Sequence, residues 1–561
     1  MYYKYNPTES AKLVHHYITN MVDKKYDNLP YWLLLPNKKP AEAAHCRVDD
    51  AELVGSWYEG LDAAMNMLGT TEGDDVKQSL RRHLMKSWGD KGLRYCEKYP
   101  WTHTVHASFH EMGYILPALN RITEEYPDDE EAEKRTSELI KGMRGLVIER
   151  QVRTFWSGDS YEEEPVYEFP NDVYLKDGGF DMTRHTGRGE QAIRNALMLP
   201  ALVRRYQLKG DETALDLATG LANYVLGVSR YFNYKMEYFG HVHSAMCFAG
   251  GLVMLGKVKK RDDYITKAKG IYDYTRSLSS DFGWIPEYAQ WHPMNEEHCE
   301  TCCIRDMIIC ALELISCGYT EYWNDVNMFA RNQFIENQVT YTGYVECDNT
   351  KEDEDGITYR EIDKRMIGGF TGGSEPNSIS LERFRSIAGC CVGTAPVALK
   401  AVWDNVTTGQ DGITVVNVPC DKETEKYILK SFIPDEGKVS IKAKKAGRYG
   451  FRLYAWVKNP VFTINGKETD ALYKNGTVYA ELKENDELIL LFDIETVAIK
   501  QNVRGTDFTV YYRACDVVDM TPRGEHVRLY QRSDMIAKYY PTPADVKYTG
   551  AANYGPTQMK K

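Results

Sequence analysis

From about residue 50 to 340, apolar residues recur at three- and four-residue spacing with short polar breaks between segments, the pattern of amphipathic helices. "DDAELVGSWYEGLDAAMNML" and "EAEKRTSELIKGMRGLVIERQ" carry it clearly. An internal repeat constrains the chain further. "DETALDLATGLANYV" (211–225) and "RDDYITKAKGIYDYT" (261–275) align at an offset of 50 residues, with Ala218, Gly220 and Tyr224 falling on Ala268, Gly270 and Tyr274. Each follows another helix-like stretch, "EQAIRNALMLPALVRRYQLKG" or "HVHSAMCFAGGLVMLGKV", so the repeating unit is a helical hairpin. Such a hairpin cannot bury its apolar stripe alone. Stacked copies form an open solenoid or a closed α/α barrel, and periodicity does not separate the two.

After about residue 410 the texture changes to alternation rich in β-branched residues: "GITVVNV", "KVSIKAKK", "YGFRLYAWV", "PVFTINGKET" and "GTVYAELKENDELILLF". Asn-Gly pairs at 465–466 and 475–476 supply hairpin turns. This predicts an α+β multidomain chain: a helical catalytic domain over 1–410, a β-sandwich over 411–515 and a C-terminal extension over 516–561.

The chain has 561 residues, 43% of them hydrophobic and 27% charged, enough for a large buried core. With 69 basic against 81 acidic residues its formal charge is −12, which leaves no basic face for phosphates and argues against nucleic acid or an anionic membrane as partner. A small neutral ligand such as a carbohydrate suits it better, and a homodimer is allowed. The 40 tyrosines suit stacking on sugar rings, although compositional bias or core filling explains them more simply. "MYYKYNPTES" lacks the features of a signal peptide, and "AMCFAGGLVMLG" (245–256) is too short to span a bilayer, so a cytoplasmic location is expected.

Thirteen cysteines, an odd number, then read as reduced thiols. Two clusters stand out, "HCETCC" at 298–303 and "GCC" at 389–391. Glu300, Cys302, Cys390 and Cys391 could supply three sulfurs and one oxygen to a zinc ion, the first two from a helix entrance and the last two from a glycine-flanked turn. Cys299 and Cys303 remain alternatives to Cys302. Buried reduced cysteines are the plain reading of Cys247, Cys310 and Cys317, which sit inside apolar helical patterns.

The motifs "ETC" (300–302) and "CC" (390–391) resemble those of glycoside hydrolase family 127, the β-L-arabinofuranosidases. "HTGRGEQAIRNALMLPALVRRYQLKGDETALDLA", "GHVHSAMCFAGGLVMLG" and "YWNDVNMFARNQFIENQV" are similar to its barrel segments, and the stretch from "GFRLYAWV" to "ELILLF" is similar to its β-sandwich. The resemblance implies an (α/α)6 barrel followed by a β-sandwich. It also implies a Zn2+ cofactor held by Glu300, Cys302, Cys390 and Cys391, with Cys390 as nucleophile.

A zinc-bound thiolate is a strong nucleophile at neutral pH, and a retaining glycosidase needs a second group to protonate the leaving oxygen and then activate water. The family's acid/base glutamate stands sixteen residues before the metal-binding one, which here is Trp284. Among Asp281, Glu287, Glu296 and Glu297, the choice falls on Glu287, between aromatic residues that could raise its pKa. The family's asparagine three residues after the cysteine pair is Thr394 here. His185, His241 and His243 open helices at barrel-mouth positions, and "THTVHASFHE" adds His103, His106 and His110; each alone reads more simply as structural, and His185 and His241 are carried forward as the expected sugar contacts. The competing readings are a sugar epimerase or lyase on the same barrel, and a non-catalytic carbohydrate-binding protein with structural zinc.

Overall fold

The computed structural model describes residues 4–46, 49–157, 160–178, 180–181, 189–290, 298–379, 387–525 and 527–532. Its first part is built from α1 (Pro7–Asn20), α2 (Val54–Leu68), α3 (Asp74–Leu84), α4 (Phe109–Glu125), α5 (Glu130–Leu146), α6 (Leu199–Lys209), α7 (Glu212–Gly227), α8 (Val242–Lys259), α9 (Asp262–Ser277), α10 (Thr301–Ser316), α11 (Trp323–Phe329) and α12 (Gly389–Asp404). Helices α2, α4, α6, α8, α10 and α12 each contact the next, and α12 contacts α2, which closes a ring of six. Helices α3, α5, α7, α9 and α11 each pack on the ring helix before them in sequence, while α1 lies over α2 and α12.

The two repeated segments are thus α7 and α9, equivalent outer helices of consecutive hairpins. The short loops that separate each pair carry helix signals: Asp211 caps α7 by accepting from the Ala214 N–H at 3.1 Å, and Gly210 ends α6 in a left-handed conformation. Sequence periodicity missed α1, whose Asn6 cap accepts from the Glu9 N–H. It also missed the hairpin of Arg153–Ser157 with Ser160–Glu164 that interrupts the helical run.

Close approach of ring helices depends on missing side chains. A Cβ on Gly60 would lie 2.2 Å from the carbonyl oxygen of Gly393, so α2 and α12 can cross this tightly only with glycine there. Alanine would gain about 1 kcal/mol of helix propensity, but the obstruction is backbone and cannot rotate away. Gly60→Ala is therefore expected to destabilise the protein by about 1–3 kcal/mol, with a lower thermal midpoint. An unchanged midpoint would show that the helices separate at no cost.

The strand-rich part of the chain begins at Thr407, three residues past α12. A five-stranded sheet runs in the order Thr407–Gln410, Ile413–Val416, Gly447–Arg452, Thr477–Leu482 and Leu472–Lys474. It contacts a six-stranded sheet ordered Lys422–Glu423, Tyr427–Ser431, Lys438–Ala443, Glu487–Asp493, Lys458–Ile464 and Lys467–Glu468. Alternate residues such as Val439, Ile441, Leu488 and Leu490 are buried, as the period-2 pattern requires. A third sheet, Thr496–Val503, Thr506–Arg513 and Asp516–Thr521, leads to Val527–Arg528, which pairs with Ser378–Ile379 of the helical part.

Candidate metal and catalytic site

The two cysteine clusters meet at the N-termini of adjacent ring helices. Glu300 is the extended N-cap of α10 and Cys302 its second residue, while Cys390 and Cys391 occupy the first turn of α12. The pair expected in a turn therefore sits inside a helix. The positive ends of both helix dipoles favour negative charge on the sulfurs. Cys302 Sγ lies 3.4 Å from Cys391 Sγ, and Glu300 Oε1 lies 3.7 Å from Cys390 Sγ and 3.9 Å from Cys391 Sγ. One donor atom from each of the four residues lies within 4.8 Å of all the others, and all four residues are buried.

This donor set suits zinc. Metal–sulfur bonds of about 2.3 Å and a metal–oxygen bond of about 2.0 Å in a tetrahedral arrangement separate donors by roughly 3.5–3.8 Å. The distances above bracket that range. Burial pushes the thiols of Cys302 and Cys391 well above their ordinary range, so their ionisation here calls for a cation. Cys303 and Cys299 stand outside the set: the first points to the other carboxylate oxygen, Glu300 Oε2 at 3.9 Å, and the second to the Glu300 carbonyl at 3.8 Å. Thr394 donates to the Cys390 carbonyl at 3.0 Å and touches Cys302 Sγ at 3.3 Å, fixing the first turn of α12.

A short ladder aligns the second half of the site. Gly240–His241 pairs antiparallel with Tyr288–Ala289, and Glu287 accepts from the Val242 N–H and donates its own to the His298 carbonyl. Cys299 exchanges two backbone bonds with Ser374. Glu287, His298 and Glu300 are thereby brought beside His241, the N-cap of α8. His241 Nε2 lies 3.4 Å from Glu300 Oε2 and 4.0 Å from Glu287 Oε1, and the Glu287 carboxyl group also meets His298 Nε2. Burial, then Arg194 and His243, lower the His241 pKa and keep the ring neutral. Its Nδ1 contacts the Ser244 hydroxyl at 2.9 Å, so Nε2–H facing Glu300 is the consistent tautomer.

The remaining sequence candidates fall differently. Trp284, at the counted position of the acid/base residue, is buried and donates its indole N–H to the Ser374 carbonyl at 3.0 Å, a packing role. Asp281 is exposed and pairs with Arg276. Glu296, Glu297 and His185 lie outside the described residues. His106 is held between Cys96 and Glu111, away from the thiol cluster. Sequence reading gave no reason to pick Tyr114, whose phenol lies 2.8 Å from His243 Nε2 and under the influence of Glu52, Cys302, Cys390 and Glu300. Sequence reading named His243 beside His241 without carrying it forward, and it missed His298, for which the spacing His298/Glu300 was the available signal.

No protein-family model matches the chain, and no curated protein does. Solved structures do. A GH127 β-L-arabinofuranosidase from Geobacillus stearothermophilus T6 superposes with a TM-score of 0.55 at 14% identity, over 92% of this chain and 80% of that one. A second GH127 β-arabinofuranosidase gives 0.57 at 14% identity, over 91% and 79%. A structure described as a glycoside hydrolase gives 0.54 at 12% identity, over 89% and 84%. The chain shares their fold along nearly its whole length.

Proposed function

We propose that this protein is a zinc-dependent retaining glycosidase of an (α/α)6 barrel (1–410) with a β-sandwich (411–515) and a C-terminal extension (516–561), acting in the cytoplasm on β-L-arabinofuranosides or related plant-derived sugars. The observation that carries it is the convergence of Glu300, Cys302, Cys390 and Cys391 at two adjacent helix N-termini, with Glu287 and His241 on the other side of the Glu300 carboxylate. The four residues would hold a zinc ion, whose charge keeps their buried thiols ionised.

Cys390 thiolate attacks the anomeric carbon, the bond to the leaving oxygen breaks, and Glu287, starting as the carboxylic acid, gives that oxygen its proton and becomes a carboxylate. In the second step Glu287 takes a proton from water, the hydroxide attacks the anomeric carbon, and the C–S bond breaks to return the Cys390 thiolate with retained configuration. His298 holds the Glu287 carboxyl group in place, and the neutral His241 turns its Nε2–H to Glu300, orienting that carboxylate beside the sugar.

Purified reduced protein is expected to hold about one zinc per chain and to release p-nitrophenol from p-nitrophenyl β-L-arabinofuranoside. Glu287→Gln is expected to retain the zinc and to lose roughly 10²- to 10⁴-fold in kcat on substrates with a poor leaving group. Protein without metal and without release from any aryl furanoside or pyranoside would sink the reading.

A further inference from the structure

The Glu300 carboxylate faces two donor sets, and the chemistry above places an ion in one of them. Its Oε1 lies 3.7 Å from Cys390 Sγ and 3.9 Å from Cys391 Sγ, inside the thiol set. Its Oε2 turns the other way, 3.4 Å from His241 Nε2, which itself lies 4.0 Å from Glu287 Oε1. One donor atom from each of His241, Glu287 and Glu300 lies within 4.8 Å of the other two, and all three residues are buried. A tetrahedral ion with metal–nitrogen and metal–oxygen bonds of about 2.0–2.1 Å separates its donors by roughly 3.3–3.4 Å. The His241–Glu300 pair is already spaced for such an ion, and Glu287 has only to close in slightly. Three protein donors leave the fourth position to water, as in open zinc sites.

Charge favours a cation there. Three thiolates and the Glu300 carboxylate carry four negative charges against the two of a zinc ion, which leaves the buried thiol set at about −2. Arg194, the guanidinium that bears on His241, pairs with Glu190 at 3.1 Å. His298 meets the other Glu287 oxygen, Oε2, so the carboxyl group is held with Oε1 toward His241. The His241 ring can accept an ion without changing its charge. Its proton moves to Nδ1, where the Ser244 hydroxyl at 2.9 Å accepts as readily as it donates.

We propose that His241 Nε2, Glu287 Oε1 and Glu300 Oε2 form a second divalent-cation site that shares the Glu300 carboxylate with the thiol set, and that zinc bound there inhibits the enzyme. The binding stands on the donor geometry, and the inhibition rests on the glycosidase reading. An ion on Glu287 displaces the carboxyl proton to solvent, one proton for each ion bound, and no acid is then left to protonate the leaving oxygen. A site of one imidazole and two carboxylates holds zinc more weakly than a thiolate set, so it fills only when free zinc is in excess.

The test is equilibrium dialysis of the purified protein against rising free zinc, with metal per chain and turnover read on the same samples. The substrate is methyl β-L-arabinofuranoside, whose alkoxide leaves only with the help of an acid. Wild type is expected to pass from about one zinc to about two. Its turnover should fall about 10²-fold or more as the second ion is taken up, the factor that a general acid supplies. A chelator weak enough to leave the first zinc in place should reverse both changes. His241→Ala and Glu287→Gln each remove a donor of the second site and none of the thiol set, so both should stop at one zinc, and either suffices if the other does not fold. A wild type that saturates at one zinc, or a second zinc that a folded variant retains, overturns the site. A second zinc taken up without loss of turnover overturns the inhibition. Should the wild type hydrolyse neither this glycoside nor the aryl substrate, the glycosidase reading fails, and the zinc counts decide the site separately. Two in the wild type and one in the variants uphold it, and equal counts in all three overturn it.

Discussion

Replacing Cys390 by serine is expected to lower turnover of an aryl arabinofuranoside by three orders of magnitude or more, roughly the loss seen when a covalent nucleophile is removed. The size follows from what serine cannot do. A hydroxyl in this position is far less acidic than a thiol, and the carboxylate beside it, Glu300 at 3.7 Å from the sulfur, is shared among Cys391, Cys303 and His241. The sulfur instead depends on its place in the first turn of α12 and in the four-donor set. Serine oxygen is also a poorer ligand for a soft, thiolate-rich site, so zinc should be held more weakly but not abolished. Cys302→Ser and Cys391→Ser remove proposed zinc donors without touching the proposed nucleophile. They should lose zinc at least as readily as Cys390→Ser while retaining some turnover at saturating metal. Metal content and turnover measured together on the three variants check this; equal turnover for Cys390→Ser and wild type would dismiss the cysteine as nucleophile.

The sequence made the thiol set visible because local spacing announces it: two short clusters of a rare residue type, each next to an apolar helical run. The hairpin repeat was visible for the same reason, since α7 and α9 repeat at a fixed offset. Ring closure was not, because it depends on contacts such as Gly60 against Gly393 that join positions far apart in sequence. The acid/base candidate shows how counting can mislead. Sixteen residues before Glu300 stands Trp284, yet the carboxyl group beside the cluster is that of Glu287, brought there by the Gly240–His241 ladder. Tyr114 is the extreme case. One tyrosine among 40 has no local mark, and only its contact with His243 singles it out.

Asp516→Ala is expected to be the most destabilising single substitution outside the site, at about 3–5 kcal/mol. Asp516 is fully buried and receives Arg331 Nε at 2.5 Å; Arg532, equally buried, pairs with Glu336 at 3.0 Å and reaches Asp516 at 3.5 Å. Two guanidinium and two carboxylate groups thus balance one another away from water. Removing one carboxylate leaves two buried cations with a single partner, a cost far above that of losing a surface pair. The quartet exists because the chain after α11 continues into a kinked π-helical stretch, Ala330–Phe334, with Asn332 at φ −113° and ψ −105°. The kink brings Arg331 and Asn332 together on the returning strand, where Asn332 accepts from the Val517 N–H and donates to the Cys515 carbonyl. From there the network runs toward the site: Tyr530 donates to Gln333, Gln333 to Asn337, Asn337 to Thr301, and Thr301 adjoins both Glu300 and Cys302. Asp516→Ala should therefore lower the thermal midpoint by roughly 5 °C or more and weaken zinc retention as well. A conservative Asp516→Asn, which keeps an acceptor for one arginine, should lose less of both. Thermal unfolding and metal content of the two variants measure these effects, and a midpoint unmoved in Asp516→Ala would show that water reaches the quartet and already compensates its charges.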